Sequence, residues 1–475
     1  MKAKSEARVR VDARVDLALA VEGDIMVPRQ NQRMASSRLP PQIAILQARW
    51  DLSSSELARA FVTEFKTQMR GALRNEGRPA SLAMIQAFIP KTAAFKPGIY
   101  LGLDLSGTNF RSVLLSIDGR QRVEREPSIA VFRLPTELKQ STGDRAATSE
   151  ALFDFVATQI KVFLENEGVS GRQIKVGFTF AFPTRMTGVS SGLLMKWTKT
   201  WNIPDLVGSD PVKALESALE KVGLGHLRVN VLLNDTIGTL VLGYFEDRDT
   251  LAGGILGTGS NFAAWLGDMA FNFESGNFDF GLLKPRIQTA VDRQLDVESQ
   301  NSGQQLLEKA VSGRYLGELM RRLMLPHFKA LSLQVPDIIA SDDLSHVLAD
   351  CDDFPATGAF FDRLGIQGSN PGDRQLARSI AGIVMTRSAQ LSALVVLALL
   401  EYADSALEGQ HVITIDGSLF EHAPGYPETM KSLLRQLLGD RSARVELKLV
   451  KDGSGIGAAL CSAAVEASAE VDALD

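Results

Sequence analysis

Apolar and polar residues alternate along the chain in two periods, one typical of helices and one typical of strands. Over residues 54–74, apolar side chains recur every four positions, which is the pattern of one buried face of a helix. Strands alternating with helices indicate an α/β fold. Further helices are predicted at 149–165, 211–221, 304–324 and 374–402. Strands are predicted at 99–103, 113–115, 174–182, 228–233, 251–256, 262–266 and 412–415.

Turns rich in Gly, Ser and Thr follow several of these strands. They lie at 106–109, 257–261 and 416–418, and a fourth turn, 452–457, opens an Ala-rich helix. Glycine lets backbone N–H groups face an anion without a Cβ in the way, and a helix N-terminus attracts phosphate. Each turn alone is also consistent with an ordinary hairpin turn. Their repetition in two halves of the chain suggests two related α/β lobes that close on a nucleotide.

The strand at 228–233 ends abruptly in Asn234, Asp235 and Thr236. Because α/β proteins bind ligands at the carboxyl ends of their strands, this carboxylate is predicted to lie at the mouth of a sheet. Asp235 is predicted to be a general base, and Asn234 is predicted to hold a ligand. The alternative is structural, since an Asp that follows a strand is often a turn residue or a helix N-cap.

The composition excludes several classes of protein. The chain has 475 residues, of which 45% are hydrophobic and 23% charged, and its formal net charge is -5. That charge gives no attraction to nucleic acid or to an anionic membrane. Two cysteines cannot form a disulfide framework, and the five scattered histidines have no metal-ligand spacing. The uncharged run 388–400 is too short to span a bilayer, and residues 1–45 are expected to form a poorly ordered extension.

A series of short segments completes the pattern between about residues 55 and 468. They are DLSGTNFR (104–111), GFTFAFP (177–183), WTK (197–199), LNDTIGT (233–239), GTGSN (257–261), EK with SGRYLGE (308–309 and 312–318), DGS (416–418) and GSGIGAA (453–459). These segments and their order resemble the eukaryotic hexokinase and glucokinase family, in the form of a divergent, fungal-type hexokinase-like member.

The resemblance implies an α/β fold with two lobes and a central cleft, of the actin-like or ribonuclease-H-like ATPase type. The small lobe is expected at 97–233, joined by a C-terminal helix at 454–468, and the large lobe at 46–96 and 234–453. The implied activity is ATP-dependent phosphorylation of the 6-hydroxyl of glucose or a related hexose, with ATP and Mg²⁺ as cofactors.

The expected partners are the hexose and ATP, with no nucleic acid and no membrane insertion. The resemblance leaves monomer and homodimer open. It favours a cytoplasmic location, with the mitochondrial surface or the nucleus as alternatives.

The resemblance also assigns site residues, with Asp235 as the catalytic base and no dedicated metal ligand. Amides and carboxylates suit sugar hydroxyls, because each hydroxyl both donates and accepts a hydrogen bond. The implied hexose-binding residues are Thr198, Lys199, Asn234, Asn261, Glu274 and Glu308. The implied nucleotide-binding residues are Asp104, Gly107, Thr108, Asn109, Arg111, Gly257, Thr258, Gly259, Gly417 and Ser418.

Individual residues in this set have ordinary alternatives. Glu308 could be a surface charge favoured by a helix start, and Lys199 could be a solvated loop cation. Asn261 could be a turn residue in the left-handed conformation.

Three departures from the family pattern bear on the substrate. Ala181 stands where the family usually has Ser, Ser275 stands where it has Trp, and the connection from Asn261 to Glu274 is shorter. They leave open a catalytically weak or inactive sugar sensor, and also N-acetylglucosamine as the substrate. An actin-like assembly protein is disfavoured, because the sugar-binding segments would serve no purpose there.

Overall fold

The computed structural model describes residues 39–74, 81–92, 94–107, 109–140, 146–198, 201–328 and 339–472. Chain contacts separate Met1–Leu39 from a second unit, Pro40–Asp475, in which all the elements below lie. The expected extension therefore falls mostly outside the described residues. Its last part is not an extension, because a helix begins at Pro41, where proline is well suited to the first helical turn.

The helices of the described residues confirm the predicted α-helical segments and add several shorter ones. They are Pro41–Trp50 (α1), Ser55–Arg74 (α2), Ser149–Asn166 (α3), Pro211–Lys221 (α4), Asp235–Glu246 (α5), Lys284–Ile287 (α6), Ala290–Glu298 (α7), Leu306–Val311 (α8), Gly313–Met324 (α9), Ser341–Ala349 (α10), Pro355–Arg363 (α11), Pro371–Ala403 (α12), Ser418–His422 (α13), Tyr426–Leu438 (α14) and Gly453–Asp472 (α15). The single helix expected over 304–324 is wrong, because the chain becomes extended at Ser312 and starts a new helix.

The strands include every predicted one and others that the sequence pattern does not reveal. They are Ile85–Pro90 (β1), Gly98–Ser106 (β2), Asn109–Ile117 (β3), Ser128–Arg133 (β4), Lys175–Phe180 (β5), Thr184–Gly188 (β6), Ser191–Leu194 (β7), Arg228–Leu233 (β8), Thr250–Leu256 (β9), Ser260–Leu266 (β10), Met269–Asn272 (β11), His411–Asp416 (β12) and Val445–Leu449 (β13). Six strands were not predicted, namely β1, β4, β6, β7, β11 and β13. Of these, β6, β7, β11 and β13 have five residues or fewer, too few for a clear alternation.

Two sheets with the same internal order organise these strands. The five-stranded sheet has the order β4-β3-β2-β5-β8, and the six-stranded sheet has the order β1-β11-β10-β9-β12-β13. In each sheet, three consecutive strands pair antiparallel. A later strand pairs in parallel with the first of the three, and one further strand pairs in parallel with that later strand. The repeated order gives the two related α/β halves that the turns suggested, and the positions of the lobe boundaries stay a prediction.

Helices α5 and α15 cross where the hydrophobic residues of the two sheets meet. Their side chains share one buried cluster with residues of β2, β8 and β10. The two helices touch backbone to backbone, since a Cβ on Gly457 would lie 2.1 Å from the carbonyl oxygen of Gly238. Only glycine permits this approach, and it brings the N-termini of both helices together.

The long helix α12 is a core element. It is long and apolar enough to cross a membrane by length and composition, but 94% of its most apolar stretch is buried inside the protein. It is anchored by polar contacts as well, since Ser388 Oγ donates to the carbonyl of Val311 at 2.7 Å and lies 2.9 Å from the hydroxyl of Tyr426. These features are those of a buried helix, as predicted.

Candidate active site

Asp235 occupies the first position of α5, directly after β8. Asn234 is the N-cap, and its Oδ1 accepts hydrogen bonds from the backbone N–H and the hydroxyl of Thr236 at 3.1 and 2.8 Å. The expected structural alternative, in which Asp235 itself caps the helix, is therefore wrong. The Asp235 carboxylate accepts from the N–H of Thr236 at 2.9 Å, and the helix dipole favours its ionised form.

The N-terminus of α15 receives a carboxylate from each sheet. Ser454 Oγ donates to Asp104 Oδ2 at 3.0 Å, and the N–H of Gly453 donates to Asp416 Oδ2 at 2.9 Å. Asp104 belongs to β2 and Asp416 ends β12. The first turn of α5 lies against the same place, because a Cβ on Gly238 would be 2.8 Å from the carbonyl oxygen of Gly453. This arrangement links the helix of Asp235 to the phosphate-type turns of both sheets.

Arg111 places a fixed positive charge beside these carboxylates. Its Nη1 donates to Asp104 Oδ2 at 2.9 Å, and Asp104 is fully buried. Burial lowers the pKa of Arg111, but the charges of Asp104, Asp452 and Asp416 outweigh burial and raise that pKa overall. The guanidinium therefore remains charged and can attract a phosphate group. Asp104 Oδ1 has no hydrogen-bond partner among the described residues, although it is buried.

Asp416 is the carboxylate of this group whose ionisation is most affected by its surroundings. Burial raises the pKa of Asp416 to about 6, and the negative charge of Asp452 adds to the effect. The hydrogen bond from Gly453 and the charge of Arg111 act in the opposite direction. The carboxyl group consequently changes its charge just below neutral pH.

The turns at 257–259 and 417–418 lie side by side. A Cβ on Gly257 would be 3.4 Å from the N–H nitrogen of Ser418, and one on Gly417 would be 2.5 Å from the carbonyl oxygen of Leu256. Gly417 also has a φ of 118°, which L-residues rarely adopt. The second turn therefore needs glycine at position 417, and together the two turns present adjacent backbone N–H groups of the kind that bind anions.

The break between α8 and α9 allows the start of α9 to bind the turn at 257–259. The N–H groups of Gly313 and Arg314 donate to the carbonyls of Gly257 and Thr258 at 2.8 and 3.2 Å. A continuous helix would use those N–H groups internally. The interruption at Ser312 thus lets the start of α9 fix the turn in place.

A network of amides and one carboxylate forms beside β10 and β11. Asn261 Nδ2 donates to Asn272 Oδ1 at 2.8 Å, and Asn272 Nδ2 donates to Glu274 Oε1 at 2.8 Å. Asn261 Oδ1 accepts from the N–H of Ser275 at 2.9 Å. The alternative for Asn261 is wrong, since it lies in β10, whereas Glu274 has the left-handed φ of 49°.

Glu308 joins this network from α8. A Cβ on Gly259 would lie 3.2 Å from Glu308 Oε1, and one on Gly276 would lie 3.4 Å from Glu308 Oε2. The neighbouring Lys309 is buried and donates to Asp296 Oδ1 at 2.6 Å, which anchors the short helix. Glu308 is therefore half-buried beside the 257–261 turn, against the surface-charge alternative.

Thr198 lies in the loop that follows β7, and Lys199 and Thr108 fall outside the described residues. The carbonyl of Thr198 accepts from the N–H of Trp201 at 3.1 Å, which closes a turn around the predicted hexose contacts. Lys196 Nζ in the same loop donates to Gln304 Oε1 at 2.9 Å, two residues before α8. The loop thus reaches the segment that carries Glu308.

A small cavity lies beside Asn234 and Asn272. Asn234 and Asn272 both line it, so the residue before the predicted base and the amide network face the same space. The remaining lining is mostly apolar, including Phe180, Phe182 and Met186. Such a lining with a few convergent polar groups is typical of small-molecule sites.

The structure brings the described predicted residues together in two neighbouring groups. Asn109 closes the β2–β3 hairpin opposite Ser106, next to Gly107. The sequence reasoning missed the polar contacts of Ser454, Asn272 and Asp416. The signal was available for all three, since each lies in a segment already singled out by its small and polar residues.

Two family models, both described as Hexokinase, match residues 43–245 and 251–464. The chain is 36% identical over 451 residues to Hexokinase-1 of Oryza sativa subsp. japonica, which covers 86% of this chain and 87% of the relative. It is 34% identical over 493 residues to Hexokinase-1 of Arabidopsis thaliana, with 96% and 98% covered. A solved hexokinase from Schistosoma mansoni complexed with glucose superposes with a TM-score of 0.76 and 26% identity, covering 89% of this chain and 98% of that chain.

Proposed function

The chain belongs to the hexokinase family, and from that premise we propose that it transfers the γ-phosphoryl group of ATP to the 6-hydroxyl of glucose or a related hexose. One observation supports this most directly. Helix α5 begins with Asp235. One turn further along, at Gly238, this helix contacts the N-terminus of α15, and Asp104 and Asp416 accept hydrogen bonds from the same N-terminus.

Phosphoryl transfer requires mainly positioning and charge stabilisation from the protein. In the proposed reaction Asp235 accepts the proton of the hexose 6-hydroxyl. The hydroxyl oxygen then bonds to the γ-phosphorus as the bond to the β-phosphate oxygen breaks, which gives hexose 6-phosphate and ADP. The start of α5 places the partial positive charge of the helix dipole beside the Asp235 carboxylate.

The remaining residues bind and orient the two substrates. The amide and carboxylate groups of Asn234, Asn261, Glu274 and Glu308, with Thr198 and Lys199, pair with hexose hydroxyls. A pocket that pairs hydroxyls rejects analogues that lack them, at about 1–3 kcal/mol for each buried group left unpaired. The phosphates are held by the turns around Gly107, Gly257 and Gly417, by their neighbours Thr108, Asn109, Thr258, Gly259 and Ser418, and by Arg111.

Magnesium fits this arrangement. Mg²⁺ is usually held by one or two carboxylates together with substrate phosphates, and Asp104 Oδ1 is a buried carboxylate oxygen without a partner among the described residues. Asp104 is the side chain that would hold it. When bound, the ion neutralises charge on the phosphates.

The regulatory alternative is not favoured, because the relatives that match along most of their length are named hexokinases. The choice among hexoses stays open.

A coupled assay with ATP, Mg²⁺ and glucose, fructose, mannose and N-acetylglucosamine tests the proposal. Wild type is expected to form sugar phosphate and ADP from at least one hexose. Asp235→Asn and Asp235→Ala are expected to lower kcat by about 10²- to 10⁴-fold, since they remove the general base.

The matched control is Asp247→Asn at the other end of α5, where the side chain accepts only a local N–H from Asp249. It should keep wild-type turnover. Near wild-type turnover of Asp235→Asn would reject the base assignment. Hexose binding without product from any sugar would reject the kinase and support a sensor.

A further inference from the structure

Trp201 connects two parts of the proposed site that are far apart in sequence. Its indole Nε1 donates to the carbonyl oxygen of Gly107 at 2.9 Å, across 94 residues of chain. Its backbone N–H donates to the carbonyl of Thr198 at 3.1 Å. One residue therefore closes the turn of the predicted hexose contacts and also holds the turn of the predicted phosphate contacts.

The indole is held firmly in its position. Trp201 is 5% exposed and stacks on Trp197, with ring centroids 5.3 Å apart and planes 21° apart. Phe182 packs on it from another side, with centroids 4.9 Å apart. The hydrogen bond from this indole is part-buried, which makes it stronger than a fully exposed one.

The acceptor is the carbonyl oxygen of Gly107, a residue with an uncommon backbone conformation. Gly107 has a φ of 62° and lies in the short turn between β2 and β3. A hydrogen bond to its carbonyl oxygen restrains the position of Gly107. Because backbone N–H groups of glycine-containing turns are what faces an anion, the position of Gly107 affects phosphate binding.

We propose that Trp201 is a positioning residue that couples Thr198, a predicted hexose contact, to Gly107, a predicted phosphate contact. Through the indole hydrogen bond, hexose binding strengthens nucleotide binding. This rests on the proposed function, which assigns Thr198 to the hexose and Gly107 to the phosphates. Thr198 accepts the backbone N–H of Trp201, and the indole of Trp201 donates to Gly107, so that one residue joins the two sets of predicted contacts. By linkage, the nucleotide strengthens hexose binding by the same factor.

The test compares Trp201→Phe with Trp265→Phe. Phenylalanine keeps an aromatic ring at position 201 but removes the donor. Trp265 is also buried, in β10, and its Nε1 has no hydrogen-bond partner among the described residues, so the same substitution there loses no such bond. The measurements are the Kd of the β,γ-imido analogue of ATP with Mg²⁺, with and without saturating glucose, and the KM values for ATP and glucose.

In Trp201→Phe the analogue Kd at saturating glucose and the KM for ATP are expected to rise about 3- to 10-fold, the effect of one lost hydrogen bond. The Kd of glucose alone should change less than twofold, and Trp265→Phe should match wild type. Unchanged coupling in Trp201→Phe, or an equal loss in Trp265→Phe, would overturn the proposal.

A second measurement covers the case in which Trp201→Phe does not fold. The chain has four tryptophans, so ¹⁵N-indole spectra of the wild-type chain contain few signals, which Phe variants of the other three assign by elimination. The Trp201 signal should shift when the imido analogue binds in the presence of glucose. An unmoved Trp201 signal would reject the coupling. If wild type forms no sugar phosphate but shows this shift, the proposed function fails and the coupling stands.

Discussion

The side chain of Asp416 shows how burial at one residue can set a pH response. It ends β12, accepts the N–H of Gly453 at 2.9 Å and has a pKa of about 6 because it is buried. The folded state therefore holds a proton that the unfolded chain has already released at the same pH. Folding is favoured by this group at low pH and disfavoured as the pH rises through about 4 to 6.

Replacement of Asp416 by Asn removes that dependence. Above pH 6, Asp416→Asn should stabilise the fold by at most about 3 kcal/mol, the free-energy equivalent of the shift, because it abolishes a buried charge and keeps an acceptor for Gly453. Below pH 4 the difference should vanish, since wild type is then protonated. Thermal unfolding midpoints of both proteins between pH 4 and pH 8 measure it. A constant difference across that range would contradict the assignment.

At the scale of elements, the two helices α8 and α9 explain how a turn far away in sequence is held. The interruption at Ser312 frees the N–H groups of Gly313 and Arg314 for the carbonyls of Gly257 and Thr258. The same interruption leaves Glu308 on the short preceding helix, beside Gly259. One break in a helix thus serves both the proposed phosphate turn and the proposed hexose network.

Substitution of Gly313 tests the role of the break. A Cβ at this position would lie 2.9 Å from the carbonyl oxygen of Gly257, so Gly313→Ala pushes the turn away from α9. We expect the KM for ATP to rise about tenfold and kcat to fall, because the turn loses its anchor. Steady-state kinetics with ATP varied at saturating hexose measure this.

Gly365→Ala is the control for that experiment. It lies at a surface turn where nothing stands within 4 Å of a new Cβ, although its φ of 74° carries a strain of its own. It should lower stability slightly and leave the KM for ATP unchanged. Equal effects of both variants on the KM would contradict a specific role for Gly313.

At the scale of the whole molecule, the two sheets meet through α5 and α15. Each sheet supplies a carboxylate to the start of α15, and the residue that starts α5 is the proposed base. The backbone contact between Gly238 and Gly457 sets the distance between the two helices. The relative position of the proposed base and the phosphate turns therefore depends on this crossing.

Widening the crossing should affect stability and catalysis together. In Gly457→Ala the new methyl group would lie 2.1 Å from the carbonyl oxygen of Gly238, so the helices must separate. We expect destabilisation of about 1–3 kcal/mol, as for overpacked cores, and a drop in kcat of at least tenfold. The thermal unfolding midpoint and kcat measured on the same preparation check both.

The control for the crossing is Gly71→Ala. Gly71 lies inside α2 with nothing within 4 Å of a new Cβ. Alanine is the better helix former, so this variant should gain about 0.5–1 kcal/mol and keep its kcat. A fully active Gly457→Ala variant would show that the crossing distance does not control the site.

The short-range spacing of apolar residues in the sequence predicts much of the fold. The spacing of apolar residues was sufficient for α2, α3, α4 and α12, because one buried face repeats within a few residues. The glycines at 107 and 417 were visible for the same reason, since a backbone with a positive φ favours glycine and shows it in the sequence. The order of the segments was sufficient for the family and for Asp235.

What the tertiary structure decided depends on residues that are distant in the chain. Ser454 meets Asp104 across 350 positions and Trp201 meets Gly107 across 94, and no local pattern records either pair. The break at Ser312 follows from a partner at Gly257, and the raised pKa of Asp416 follows from burial. Periodicity describes the surroundings of a residue along the chain, whereas hydrogen-bond partners and desolvation are fixed only when the two sheets and the helices between them have packed.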